Sequence, residues 1–150
     1  MLTEEMKVKL VKQAFEARQG SYSPYSHFQV GAALLTSDGR IFMGANIENA
    51  SYGATICAER TAAVQAAFAG SREIIAIAVV GSAQGSDASD MAYAYPCGIC
   101  RQFLREFMPA SGDIVVLVAK SLNEYHETTL NALLPHSFGP SDLDYLHQTE

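Results

Sequence analysis

The chain has 150 residues, of which 49% are hydrophobic, and this is enough for one domain with a packed core. Its net charge of −6 argues against a nucleic-acid partner, because binding to a phosphate backbone relies on clustered Lys and Arg. A small substrate that is uncharged or cationic fits this charge better. The charged fraction of 17% is low for a small monomer, which is compatible with surface buried between subunits.

Cysteine content and the N-terminal segment indicate where the protein acts. Three cysteines cannot all pair, and a Cys-x-x-Cys spacing suits metal or redox chemistry better than a secreted disulfide framework. Residues 1–18 mix Glu, Lys and apolar residues, so they lack the apolar core of a signal peptide. No apolar run reaches the roughly 18 residues that a membrane helix needs. We expect a single domain over residues 1–150 that is soluble and cytoplasmic, with no membrane partner.

The first 45 residues predict a helix and a β-hairpin. Thr3 can cap a helix whose apolar residues recur at three- and four-residue steps until about Gly20. Residues 21–26 are polar and contain a proline, which predicts a loop whose tyrosines either pack or line a pocket or interface. Residues 28–36 and 41–45 are expected to be antiparallel strands, because an Asp-Gly step lies between them.

The rest of the chain predicts helices that alternate with strands. In chain order, we expect a helix over 57–69, a strand over 74–80, a loop over 81–95, a helix from 96 to about 107, strands over 113–119 and 125–129, a short helix over 130–134, and then loop or short helix. Two of these strands are continuous apolar runs, which is typical of burial on both faces. The predicted fold class is therefore α/β, a three-layer α/β/α sandwich around a five-stranded mixed sheet.

All three cysteines lie in two short motifs, Cys57-Ala58-Glu59-Arg60 and Pro96-Cys97-Gly98-Ile99-Cys100. Each motif opens a predicted helix, and sites in such folds gather where helices follow strands. We therefore expect both motifs at one place, with Cys57, Cys97 and Cys100 as ligands of one Zn²⁺ per chain.

The number of ligands distinguishes a catalytic zinc site from a structural one. A catalytic site keeps one position open for water, whereas a structural site closes its tetrahedron with a fourth protein ligand. Here a fourth ligand would have to be a histidine, and none has ligand-like spacing to the cysteines: His27, His126, His136 and His147. We expect an open site, and the alternatives are a structural zinc module or a thioredoxin-like redox pair of Cys97 and Cys100.

Charge defines the roles of Glu59 and Arg60. Three thiolates and Zn²⁺ sum to −1, which weakens the metal as a Lewis acid unless positive charge lies nearby. Two helix N-termini would supply part of it, and Arg60 can direct its guanidinium at the same sulfurs, although a surface salt bridge is its alternative role. Glu59 can take a proton from a metal-bound water, and its alternative role is that of a solvated residue in a first helical turn.

Residues 25–34, 44–53 and 133–140, together with both cysteine motifs, carry a resemblance to a known family. The motifs match the zinc deaminase signature, and the chain resembles the homotetrameric cytidine deaminases over nearly its whole length. The resemblance implies hydrolysis of free cytidine and deoxycytidine to uridine and deoxyuridine with release of ammonia, by a zinc-bound water that Glu59 activates. It also implies pyrimidine salvage and a homotetramer whose active sites are shared between subunits.

The same resemblance assigns residues to a pyrimidine nucleoside substrate. It implies that Asn46 and Glu48 hydrogen-bond the sugar hydroxyls and that Phe28 lines the base pocket. The residue types agree, because an amide and a carboxylate after a strand can bind a hydroxyl, and a carboxylate there would repel a 5′-phosphate. Without the resemblance, Asn46 and Glu48 would be turn residues and Phe28 a core residue.

Further positions follow from the resemblance alone. Phe138 matches an aromatic residue that reaches a neighbouring subunit's base, and its alternative role is packing of the C-terminal loop. Ala50 and Tyr52 are implied to lie near the shared site, and Ala58 and Cys97 to offer backbone groups to the base.

Residues 81–95 depart from the family pattern, because this connection is longer than usual; it could adjust access or subunit contacts. A deaminase of a related aminonucleoside, such as blasticidin S, is the nearest alternative function, and the pair Asn46 and Glu48 disfavours it. A polynucleotide editor would need a basic groove. A non-catalytic zinc-binding interaction module is the alternative from another class.

Overall fold

The computed structural model describes residues 2–86, 91–110 and 112–143. Its helices and strands are α1 (Glu4–Arg18), β1 (Phe28–Thr36), β2 (Ile41–Ala45), α2 (Ala58–Phe68), β3 (Ile74–Ala83), α3 (Gly98–Arg105), β4 (Val115–Ser121), β5 (Glu124–Thr129) and α4 (Leu130–Leu133). Short 3-10 turns lie at Tyr52–Ala54 and Pro140–Asp142. The helix after Thr3, the β1–β2 hairpin and the alternation that follows are confirmed.

The described strands form one five-stranded sheet in the order β2-β1-β3-β4-β5. Only β3 and β4 run parallel, and the other neighbours are antiparallel. Helix α1 covers one face of this sheet, whereas α2, α3 and α4 cover the other. The predicted three-layer arrangement with a mixed sheet is confirmed.

Strand β1 shows how the sheet is buried from both sides. Ala32 and Leu34 belong to the core beneath α2, and the alternate residues Ala33 and Leu35 belong to the core beneath α1. All four side chains are at most 2% exposed. Successive residues of a strand point to opposite faces, so an uninterrupted apolar run fits a strand between two helical layers.

Two glycines let the helices approach the sheet closely. A Cβ atom at Gly31 would lie 2.1 Å from the backbone oxygen of Ala14 in α1. A Cβ atom at Gly44 would lie 2.4 Å from the Ala62 nitrogen and 2.6 Å from the Ala58 oxygen in α2. Real Cβ atoms do not approach so closely, so Gly44 fixes the distance between β2 and the first turns of α2.

The predicted loop over residues 81–95 is wrong at its start. Strand β3 continues to Ala83, because Gly81–Ala83 pair with the first three residues of β1. These small residues gave no strand signal in the sequence. A Cβ at Gly81 would lie 2.9 Å from the Phe28 ring, so a larger residue would have to displace that ring. Residues 91–97 have no regular secondary structure, and residues 87–90 of this loop lie outside the described residues.

The remaining differences are small. Helix α3 starts after Pro96 and ends at Arg105, and β4 begins at Val115, two residues after its predicted start. The segment after Pro135, predicted to be loop or short helix, contains the 3-10 turn at Pro140–Asp142, and residues 144–150 lie outside the described residues. Within the part of the chain that is described, no helix is both long and apolar enough to cross a bilayer.

Candidate active site

The two cysteine motifs meet, as the sequence predicts. The Sγ atoms of Cys57, Cys97 and Cys100 all lie within 4.8 Å of one another, and those of Cys57 and Cys97 are 4.0 Å apart. Three sulfurs bound to one tetrahedral Zn²⁺ would lie about 3.8 Å apart, given a Zn–S distance of about 2.3 Å. None of the three thiols forms a disulfide. The three sulfurs therefore fit the ligand set of a zinc ion once they draw closer together.

No histidine joins the cluster among residues 2–86, 91–110 and 112–143, and His147 lies outside these ranges. Both helices that carry the cysteines begin at the cluster, because Cys57 is the N-cap of α2 and Cys97 is the N-cap of α3. Free N–H groups in the first turns of helices favour negative charge. The expected pair of helix N-termini beside the thiolates is confirmed.

Arg60 lies beside the cluster, as predicted. A terminal guanidinium nitrogen of Arg60 donates to Cys57 Sγ at 3.5 Å and to the Thr55 carbonyl at 3.3 Å. The pKa of Cys57 falls to about 5, first because the Cys100 thiol donates to its sulfur and second because Arg60 lies close. The pKa of the Cys100 thiol is raised by the same bond and by burial. A metal ion binds the deprotonated sulfurs, so its binding would release the thiol protons.

Glu59 is 4% exposed at the second position of α2, so it is not a solvated first-turn residue. Burial raises the pKa of its carboxyl above the usual range. A carboxyl group with a raised pKa can accept and return a proton near neutral pH. Glu59 lines a cavity together with Cys57 and Cys97, which places a proton carrier beside the candidate metal ligands.

This cavity has a volume of about 220 Å³ and combines predicted with unpredicted residues. The predicted ones are Phe28, Asn46, Glu48, Cys57, Glu59 and Cys97, and the others are Val30, Thr55, Ala94 and Tyr95. Thr55 and Tyr95 each stand two residues before a cysteine. Alternate residues of an extended segment share a side, so this spacing is the signal that could have identified them.

Asn46 is 8% exposed and its side chain is largely engaged by the fold. Its oxygen accepts hydrogen bonds from the Val30 amide at 2.9 Å and the Ser21 hydroxyl at 2.5 Å, and its nitrogen donates to the Phe28 carbonyl at 2.8 Å. An amide nitrogen carries two hydrogens, so one remains for a ligand. Asn46 therefore holds the end of β1 in place as well as lining the cavity.

Glu48 is held by the loop before β1. Its carboxylate accepts hydrogen bonds from the Tyr25 amide at 2.9 Å, the Ser26 amide at 3.2 Å and the Ser26 hydroxyl. The Ser26 hydroxyl is the main reason that the pKa of Glu48 is lowered. Glu48 is therefore ionised at neutral pH and carries a fixed negative charge into the cavity.

A second cavity of about 400 Å³ adjoins the first and shares Glu48 and Thr55 with it. Its other lining residues are Tyr25, Ser26 and Tyr52. Tyr52 thus faces the neighbouring cavity and not the one that contains Glu59, and its side chain is 75% exposed. The rings of Tyr25 and Tyr52 meet edge to face at 5.8 Å.

The other residues singled out from sequence lie around these cavities. Phe138 is 60% exposed and lines neither cavity, and its carbonyl accepts a hydrogen bond from Gln102 of α3 at 2.9 Å. Ala50 is exposed as well and lines neither cavity. Ala58 is the first residue of α2; its side chain is buried in the core, and its N–H is one of those without an acceptor inside the helix.

Known proteins are similar to this chain in sequence. The sequence profile of the cytidine and deoxycytidylate deaminase zinc-binding region matches residues 4–117. The cytidine deaminase of Halalkalibacterium halodurans is 47% identical over 135 residues, which cover 90% of this chain and 96% of that protein. That of Sporosarcina psychrophila is 43% identical over 137 residues, which cover 91% of this chain and 94% of that protein.

A solved structure extends the likeness to three dimensions. The crystal structure of cytidine deaminase from Burkholderia pseudomallei matches with a TM-score of 0.75 at 41% identity, and the match covers 91% of this chain and 99% of that chain. The profile spans more than half of the chain, and each of these proteins aligns over nearly its full length. The chain therefore belongs to the cytidine and deoxycytidylate deaminase family.

Proposed function

We propose that this chain hydrolyses free cytidine and deoxycytidine to uridine and deoxyuridine with release of ammonia. The observation that carries the proposal is the buried carboxyl of Glu59 in one cavity with two of three clustered cysteines. The relatives that align over nearly the whole chain are named cytidine deaminases, which supports the same substrate. The enzyme is a zinc-dependent hydrolase.

Cys57, Cys97 and Cys100 would hold one Zn²⁺ per chain. A zinc ion held by three protein ligands supplies Lewis acidity that makes a water at its open position a nucleophile near neutral pH. Arg60 offsets the negative charge that three thiolates bring, since its guanidinium lies 3.5 Å from one sulfur. The N-termini of α2 and α3 add to this compensation.

Glu59 carries the protons of the reaction. It takes a proton from the attacking water and gives it to N3 of the pyrimidine, which makes C4 electrophilic. The water oxygen then bonds to C4. Glu59 next transfers the remaining hydroxyl proton to the 4-amino group, the bond between C4 and this nitrogen breaks, and ammonia leaves. One carboxyl thus acts as base and acid in turn, which its buried position favours.

We assign nucleoside binding to the rim of the cavity. Glu48 and the free amide hydrogen of Asn46 would bind the sugar hydroxyls, and Phe28 would lie against the base. The ionised Glu48 would repel a 5′-phosphate, so nucleosides are favoured over nucleotides. Ala58 and Cys97 would offer backbone groups to the base.

We further propose a homotetramer whose active sites are shared between subunits. Phe138 and Tyr52 are exposed aromatic residues that could contribute to a neighbour's site. In this proposal, residues 1–150 form a single catalytic domain that acts in cytoplasmic pyrimidine salvage.

The decisive experiment follows the loss of cytidine absorbance with purified protein. Activity should disappear when zinc is removed by a chelator and return when about one Zn²⁺ per chain is restored. Turnover that persists without metal would contradict the zinc-dependent mechanism. A zinc content near one per chain, with no disulfide between Cys97 and Cys100, would also exclude a redox role for these two cysteines.

Blasticidin S is the comparison substrate, because a deaminase of a related aminonucleoside could use the same cysteines and Glu59. The two substrates differ in the group that meets Glu48 and Asn46, so kcat/KM should strongly favour cytidine. Negligible cytidine turnover beside efficient blasticidin S turnover would overturn the proposed substrate.

A further inference from the structure

Residues 91–97, here called the approach segment, lead into α3 without forming a helix or strand. This segment nevertheless supplies Ala94, Tyr95 and Cys97 to the lining of the active-site cavity. A backbone without ladder or helix hydrogen bonds has to be fixed by other contacts if it is to hold residues in register.

The two ends of the approach segment are anchored in the fold. Met91 is 8% exposed and packs in the core beneath α1. The Pro96 carbonyl accepts a hydrogen bond from Nε of Arg101 in α3 at 2.7 Å. Between these anchors the chain passes from the α1 face of the sheet to the opposite face, where α2 and α3 carry the cysteines.

The middle of the segment is held by strand β5. The hydroxyl of Tyr95 and Nδ1 of His126 lie 2.5 Å apart, and the two rings meet edge to face at 5.8 Å. The ring of Tyr93 also lies edge to face with His126, at 6.4 Å. Lys120, near the end of β4, lies over the Tyr93 ring at 5.4 Å. His126 is thus the residue that both tyrosines contact.

Strand geometry explains why His126 can do this. Its neighbour Tyr125 packs in the core beneath α1 and donates a hydrogen bond to Glu4 at 3.0 Å. Adjacent residues of a strand point to opposite faces, so His126 points to the face that carries the active site. Tyr95 is 42% exposed, and the bond to His126 restrains its side chain from turning freely in solvent.

We propose that Tyr95 is a substrate-contacting residue that sets how tightly the nucleoside fits, and that His126 is a positioning residue that holds Tyr95. This inference rests on the proposed function, because the cavity that Tyr95 lines is the one that contains Glu59. The hydroxyl of Tyr95 is occupied by His126, so the ring and not the hydroxyl meets the substrate.

The test is a double-mutant cycle with Tyr95→Phe and His126→Phe, which keep an aromatic ring and remove the hydrogen bond. Each variant should raise KM for cytidine about three- to tenfold, as expected for one hydrogen bond, while kcat stays near the wild-type value. The double variant should be no worse than either single variant, because both remove the same contact. His126→Asn should restore KM, since its side-chain oxygen can accept from the Tyr95 hydroxyl.

Tyr125→Phe is the matched control, because it removes a tyrosine hydroxyl from the same strand on the other face. It should leave KM and kcat unchanged. Unaltered KM in Tyr95→Phe and His126→Phe, additive effects in the double variant, or an equal rise of KM in Tyr125→Phe would each overturn the proposal.

Failure of the proposed function would be recognised separately. A wild-type protein that does not turn over cytidine would refute that function. The double-mutant cycle would then compare the thermal unfolding midpoints of the zinc-loaded wild type, the two single variants and the double variant. The contact between Tyr95 and His126 would be supported if the unfolding midpoint of the double variant fell by less than the sum of the decreases in the two single variants. Additive losses would overturn it.

Discussion

At the scale of single residues, Glu59 is held in an environment that costs stability, because a carboxylate in the first turn of a helix would be better solvated at the surface. Glu59→Gln keeps the shape of the side chain and removes its ability to carry a proton. We expect kcat to fall by several orders of magnitude. General acid–base catalysis typically contributes about 10²- to 10⁴-fold to the rate, and Glu59 would perform more than one proton transfer. Zinc content and nucleoside binding should be retained. Wild-type turnover in this variant would refute the role of Glu59.

Arg60 acts on the cluster through charge. Arg60→Gln removes the guanidinium that lies 3.5 Å from the Cys57 sulfur, so the negative charge of the thiolates should be less stabilised. We expect zinc affinity or activity to fall about 10- to 100-fold, the usual effect of losing a partner of a metal ligand. Zinc transfer to a chromophoric chelator measures the effect. Arg72→Gln, an exposed arginine after the other end of α2, is the control and should leave zinc transfer unchanged.

Which residues could be predicted depends on how local their signal is. Cys57, Glu59 and Arg60 lie within one helical turn, and Cys97 and Cys100 within another, so their arrangement follows from the sequence. The bonds of Asn46 to the β1 backbone and of Tyr95 to His126 join residues 16 to 31 positions apart. Such contacts depend on strand register and on the path of the approach segment, which no local pattern encodes.

At the scale of elements, Gly44 and Gly31 provide matched tests of how α2 is positioned. Gly44→Ala would force α2 away from β2, and Gly31→Ala would force α1 away from the opposite face. Each should lower the free energy of unfolding by about 1–3 kcal/mol or more, because an inserted methyl group cannot be accommodated against backbone. Only Gly44→Ala should also weaken zinc retention and kcat, since α2 carries Cys57 and Glu59.

Thermal unfolding and chelator competition on both glycine variants separate the two effects. Equal loss of zinc retention in Gly31→Ala and Gly44→Ala would show that general destabilisation, and not the position of α2, governs the site.

The elements themselves were largely predictable, because apolar periodicity and turn residues are strong signals. The bounds of β1 and β2 agree with the prediction, since an Asp-Gly turn fixes the hairpin register. The extension of β3 over Gly81–Ala83 was missed, because these small residues pair with β1 through their backbone. Sequence patterns report the preferences of side chains, so they do not predict a strand that is formed by backbone pairing alone.

At the scale of the whole molecule, several large apolar side chains are left on the surface of one chain. Phe68 is 94% exposed, Tyr52 75%, Ile99 66% and Phe138 60%. Together with the low charged fraction, this surface favours association with further copies. The fold and the chemistry of one chain follow from its sequence, but a contribution of one chain to the site of another would depend on the assembly and has to be tested by mixing chains.

Subunit mixing tests whether Phe138 completes a neighbour's site. Phe138→Ala should raise KM for cytidine about tenfold, because stacking on a base contributes about 1–3 kcal/mol, and Glu59→Gln should be nearly inactive. In mixed assemblies of the proposed homotetramer, a chain with intact Glu59 would receive Phe138 from a Glu59→Gln neighbour. At equal amounts, about a quarter of all sites would then be complete, and activity at low cytidine should exceed the mean of the unmixed variants. Activity equal to that mean would show that Phe138 serves its own chain or none.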